Sequence, residues 1–129
     1  MLHEDITQRV IGCAMKAHAT LGNGFQEVIY QRALDIEMKF DELSFEREKT
    51  MNIFYRDYPI GDRRVDFFVE DCVLVELKAV IELQDVHYAQ AMNYLEAFDK
   101  EIGLLINFGA KSLQFKRLHN NKLIKRNLR

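Results

Sequence analysis

A chain of 129 residues, 48% apolar and with a formal charge of −2, has the size and make-up of one domain with a real core, residues 1–129; its composition excludes a low-complexity protein. No apolar run approaches the roughly 20 residues that a helix needs to cross a bilayer, and the polar, acidic start MLHEDITQRV is not a secretory signal. The two cysteines, Cys13 and Cys72, stand apart in apolar surroundings, which offers no metal-ligand spacing and fits a reduced, cytoplasmic protein without membrane attachment.

The small net charge conceals a split. The C-terminal segment 109–129 carries seven Lys or Arg and no acid, whereas the first 108 residues hold 11 basic and 20 acidic residues, a balance of −9. A basic end on an acidic body is expected as a phosphate-binding surface, or else as a solvated tail or final strand.

In chain order, Asp5-Ile6-Thr7-Gln8 reads as a capping box with Asp5 as N-cap. Ile6, Val10, Ile11, Ala14 and Ala17 fall on or near one face and predict a helix to about Thr20, stopped by Leu21-Gly22-Asn23-Gly24. A second helix is predicted over about Gln26 to Phe40. Glu27 lies in its first turn, where the helix dipole favours a carboxylate, and Tyr30 shares its face.

From Ser44 the pattern alternates, predicting a half-exposed antiparallel strand through Tyr55. Asp57 to Asp62 reads as a turn around the only proline, Pro59. A strand carrying Asp66 follows, then a turn at Glu70-Asp71, then the apolar run Cys72 to Val80, a strand covered on both faces. A third helix is predicted from Asp85 to about Phe98, with His87, Gln90 and Tyr94 on one face. Ile102 to Phe108 and Leu113 to Leu118 complete the set, the latter as an edge strand. The order α-α-β-β-β-α-β-β predicts an α/β fold with one mixed central sheet flanked by helices, the third helix crossing between parallel neighbours.

Two charges interrupt the Cys72–Val80 strand. Glu76 and Lys78 are two apart and project from one face, a costly placement unless they are paired or bind an ion. One account is an ion pair at a strand end with Asp66 in a turn. The other is chemical: Asp66, Glu76 and Glu27 are hard oxygen donors suited to Mg²⁺ or Mn²⁺, and Lys78 beside them suits phosphodiester hydrolysis by a metal-activated water.

Gly24-Phe25-Gln26-Glu27-Val28-Ile29-Tyr30 resembles the signature of the GxxExxY family. Asp66 with Glu76-Leu77-Lys78 resembles the D…ExK core of the PD-(D/E)XK nuclease superfamily, and Gln90-Ala91-Met92-Asn93-Tyr94 the QxxxY motif of its RecB-like branch. Lys16 to Gly22 and Leu104 to Gly109 are also similar to family segments, so the resemblance spans about residues 5 to 118. It implies a restriction-endonuclease-like core. It further implies that Asp66, Glu76 and the Leu77 carbonyl ligate the ion, that Glu27 completes the site and that Lys78 is the catalytic lysine. Gln90 and Tyr94 are implied to line the cleft, touching the nucleic-acid backbone or supporting Lys78.

Other candidates are His18, expected as a core or supporting group, and His87, expected near substrate one turn before Gln90. Tyr30 is expected to orient Glu27 by packing, and Arg63-Arg64 to approach phosphates or stand solvated. Lys116, Arg117, Lys122, Lys125, Arg126 and Arg129 are expected to track phosphates. The expected activity is a metal-dependent nuclease acting on nucleic acid, DNA above all, with a homodimer or protein partner to supply specificity. The alternative is a catalytically silent module that binds nucleic acid or a protein.

Overall fold

The protein is seen here as a computed structural model that describes residues 2–127. Helix α1 (Glu4–Leu21) buries Ile6, Val10, Ile11, Ala14 and Ala17, the face its periodicity marks out. Its N-cap is His3, with a left-handed φ of 54° and no side-chain cap, so the box expected at Asp5 does not form. The helix instead begins one residue before Asp5. Thr7 Oγ1 donates back to the Glu4 carbonyl (3.0 Å), and both Glu4 and Asp5 still meet the positive end of the dipole. Gly22, at φ 76°, ends the helix by donating its N–H to the His18 carbonyl. Helix α2 (Glu27–Phe40) then packs against α1.

Strands β1 (Phe45–Tyr55) and β2 (Tyr58–Val69) form a long hairpin, and here the chain departs from expectation. The turn is Arg56-Asp57, both at positive φ (48° and 66°), the backbone form whose twist suits a two-residue hairpin. Tyr58 to Asp62, expected as the turn, is therefore strand. Pro59 is tolerated because β2 has no partner on its other side there; pairing with β3 (Val73–Lys78) covers only Phe67–Val69 against Val73–Val75.

Strand β3 runs antiparallel to β2 and parallel to β4 (Ile102–Asn107), in register from Val73↔Ile102 to Lys78↔Asn107. Helix α3 (Asp85–Ala97) makes the crossover between these parallel strands, and β5 (Gln114–His119) closes the edge antiparallel to β4. The sheet order is β1-β2-β3-β4-β5, the mixed sheet that the element order predicts. Val73, Val75 and Leu77 join the core beneath α1 and α2 with Tyr30, Leu34, Leu104 and Phe108. Leu74 joins Val65, Phe68, Leu95, Leu105 and Leu118 in the core beneath α3. By parity Glu76 and Lys78 share the α3 face.

A fourth helix, α4 (Asn121–Asn127), stands where a solvated tail or strand was expected. Asn120 Oδ1 accepts the Leu123 N–H (3.2 Å) and Leu123 is buried, enough to seat one short helix. Arg129 lies outside the described residues. Among those described, no helix is long and apolar enough to cross a membrane.

Candidate active site

The site lies where the sheet parts. Ladder pairing between β2 and β3 stops at Phe67↔Val75, so the strands separate at the next residue of each, Asp66 and Glu76. Asp66 fills the gap with its side chain: Oδ2 accepts the Leu77 N–H at 2.8 Å, replacing a strand–strand bond that the divergence removes. Its other oxygen accepts from Gln31 Nε2 of α2 (2.8 Å). Gln31 is itself held by Arg47 of β1, whose Nε and a terminal N–H both donate to Gln31 Oε1. Arg47 also pairs with Asp35 at 3.5 Å. A chain of hydrogen bonds across three elements thus fixes Asp66, and Gln31, buried on an otherwise ordinary helix, gives no sign of this role in the sequence.

Glu76 is almost fully buried, at 2% exposure, and faces α3. Its Oε2 accepts from Arg63 at 3.0 Å, while its Oε1 and the Arg63 Nε are buried without partners. Arg63 lies over the Tyr94 ring of α3, 4.9 Å from its centroid. Burial and then the neighbouring Asp66 carboxylate push the Glu76 pKa up to about 8, against the opposing pull of Arg63. The carboxyl is therefore readily protonated, and the Arg63 guanidinium is what favours its charged form.

Lys78, at the end of β3, is half-buried and reaches Gln90 Oε1 of α3 at 3.4 Å. Glu27, the first residue of α2, is exposed, yet its carboxylate feels this cluster. Burial of its oxygens and the Asp66 charge raise its pKa, while Lys78 and Arg63 pull it down. Tyr30 holds the loop before Glu27: its hydroxyl donates to the Gly22 carbonyl (2.6 Å) and accepts the Phe25 N–H (3.1 Å). Its ring stacks on Phe108, 4.7 Å between centroids. His18 Nε2 contacts the Ala110 carbonyl at 2.9 Å, and Asn107 binds Val80 on both its N–H and C=O, tying down the loop that follows Lys78.

The remaining candidates lie apart from these groups. His87 is spent on its own helix end, its Nδ1 accepting the Gln84 N–H in a capping box. Lys116 and Arg117 alternate across β5; both line a hollow of about 400 Å³ beside Gln84, Asp85 and Tyr88, and Arg117 Nε donates to Thr7 of α1. Lys122 and Arg126 face Glu96 and Asp99 at 3.8 Å, so part of the basic end meets acids of its own chain.

The donor set fits a hard divalent cation. Asp66 and Glu76 bring two carboxyl groups together, and the Glu76 Oε1 is buried without a hydrogen-bond partner, a place a cation would satisfy. Among the described residues, no group of three or more His, Cys, Asp or Glu is gathered to hold an ion. Arg63 stands on Glu76, and Glu27 remains exposed at the rim. Sequence reasoning weighed Arg63 only as a phosphate contact or a solvated charge; its partner is thirteen residues away on another strand.

Comparison with known proteins agrees with this architecture. The crystal structure of SSO0001 superposes with a TM-score of 0.58 at 15% identity, over 95% of this chain and 64% of that one, a likeness of fold. The chain thus spans less than two thirds of that protein's length. No curated protein matches the sequence. The family model of the PD-(D/E)XK nuclease superfamily matches residues 4–118, nearly the whole chain. The chain belongs to the PD-(D/E)XK nuclease superfamily.

Proposed function

We propose that this protein is a metal-dependent nuclease that hydrolyses phosphodiester bonds of nucleic acid, DNA above all, as a member of the GxxExxY family in the RecB-like branch. The observation that carries this reading is the buried Glu76 carboxyl beside Asp66, with Lys78 on the same strand face and an unpartnered oxygen at the centre. A bound Mg²⁺ or Mn²⁺ would supply an activated water and offset the charge of the phosphate. Asp66 and Glu76 would hold it, with the Leu77 carbonyl beside them and Glu27 entering from the rim. Asp66 is preset for this work, because Gln31 and the Leu77 N–H fix both its oxygens. Lys78, steadied by Gln90, presents its ammonium to the attacking water and the developing charge. Tyr94 and Gln90 form the α3 wall of the cleft. Glu27, its pKa raised, can take a proton from water at the rim.

Cleavage of single- and double-stranded DNA and of RNA in Mg²⁺ or Mn²⁺ tests this. The Lys78→Ala protein should lose activity by about 10²-fold or more. Equal rates for wild type and Lys78→Ala on every substrate would end the proposal.

The Arg63–Glu76 ion pair favours a second reading, a nuclease-fold module that binds nucleic acid or a protein partner without turnover, because it already neutralises the carboxylate. Filter binding in EDTA separates the two: tight binding with no metal-dependent cleavage supports the module.

A further inference from the structure

Arg63 is bound in a manner that suits departure. Arginine and a carboxylate frequently meet through two parallel N–H bonds, and a buried N–H left without an acceptor is costly. Arg63 makes one bond to Glu76, at 3.0 Å, and its Nε is buried without a partner. The opposite oxygen of Glu76 is also buried and unpartnered, so neither member of the pair is satisfied. The guanidinium rests on the face of Tyr94, a support that persists when its N–H groups turn elsewhere. Arg63 stands three positions before Asp66 on β2, so a released Arg63 stays at the mouth of the cleft.

We propose that Arg63 occupies the cation position on Glu76 in the ion-free protein and yields it to a divalent ion, becoming the residue that grips the phosphate of bound nucleic acid. The inference rests on the nuclease reading above. Two cations compete for one buried carboxylate, and the guanidinium, displaced from it, finds in two oxygens of a phosphate a pair of acceptors that its planar fork matches. Metal binding and substrate binding are thereby coupled through one side chain: the cleft presents its arginine only when the ion is present.

Titration calorimetry with Mn²⁺ tests the competition. The Arg63→Gln protein should bind Mn²⁺ at least about fivefold more tightly than wild type, an effect of roughly 1 kcal/mol. Arg63→Lys, which keeps a competing cation, should stay close to wild type. A second measurement needs no substitution that disturbs folding. In wild-type protein the buried Arg63 Nε–H should give a slowly exchanging NMR signal, assigned by its loss in Arg63→Lys. That signal should shift and lose protection as Mg²⁺ is added. Arg63→Gln should also lose the increment in oligonucleotide affinity that Ca²⁺ confers on wild type. Mn²⁺ affinity equal or weaker in Arg63→Gln, or an Nε–H signal unmoved at saturating Mg²⁺, overturns the proposal while the metal site stands. No Mn²⁺ binding by wild type or variant removes the nuclease reading and this inference together. Binding by Arg63→Gln alone supports the competition in its strongest form.

Discussion

In the absence of divalent ions, raising the pH from 5 to 8.5 should weaken the fold, and Glu76 should account for most of the loss. Its carboxyl has a pKa of about 8 in the folded protein against 4.5 for an unperturbed one. The native state therefore binds this proton more tightly than the unfolded chain. Stability is full below pH 4.5 and drains away as pH rises through 8, because the folded protein must then carry a buried negative charge. At 1.36 kcal/mol per pH unit, the interval corresponds to a loss on the order of 4 kcal/mol, an upper figure because the site relaxes around the charge. Glu27 is shifted in the same direction and adds to the slope. Urea denaturation in EDTA, followed by far-UV circular dichroism, measures it. With a slope of about 2 kcal/mol per molar urea, the midpoint should fall by roughly 1–2 M between pH 5 and 8.5. Glu76→Gln, which keeps an acceptor for Arg63 but cannot ionise, should lose most of this slope and keep only the smaller part that Glu27 contributes. Mn²⁺ at pH 8.5 should restore the wild-type midpoint by mass action and leave Glu76→Gln unmoved. A flat wild-type profile, or a slope undiminished in Glu76→Gln, would refute the raised pKa of Glu76.

Three further outcomes are expected. Gly109→Ala should cost about 3 kcal/mol or more, because its Cβ would lie 2.4 Å from the Val80 carbonyl oxygen and 2.5 Å from its nitrogen; a thermal midpoint within 2 °C of wild type, against a shift of roughly 4 °C per kcal/mol, would contradict that contact. Tyr30→Phe keeps the stacking on Phe108 but drops both hydroxyl bonds, so it should lose about 1–3 kcal/mol and speed hydrogen exchange at the Phe25 amide; an unchanged exchange rate there would argue against the bond. Cys13, buried and with its thiol pushed up to about 11 by burial and then by Asp41, should resist iodoacetamide at pH 8 in the folded protein and react at once in urea, as read by peptide mass spectrometry; labelling of the native protein would contradict its burial.

The order of elements was legible because periodicity marks it. Helical spacing at Ile6, Val10 and Ala14 and the mostly apolar run at Val73–Leu77 leave few alternatives, and a helix between two such runs imposes the parallel pair β3–β4. Asp66, Glu76 and Lys78 stood out because charges inside an apolar strand are costly. What the sequence hides is set by contacts far along the chain. Gln31 reads as an ordinary helical polar residue until Arg47 and Asp66 are seen on either side of it. The hairpin turn is obscured because Arg56-Asp57 takes a backbone form that usually advertises itself with Asn-Gly, while Pro59 draws attention two residues too late. The last helix rests on one buried leucine and one asparagine cap, too faint a pattern to distinguish from a basic tail.

The bond between Asp66 and the Leu77 N–H has a consequence for how such proteins change over generations. The carboxylate is part of the sheet as well as of the cleft, since it closes the gap that β2 and β3 leave between them. A descendant with no use for the cleft would still be selected to keep an acceptor here, because losing it strands a buried amide and frays the end of β3. Lys78 carries no such double duty: its single 3.4 Å contact is to a side chain, and no part of the sheet hangs on its ammonium. Disuse of the cleft would therefore free the lysine to change first and leave the aspartate as a fossil of the fold.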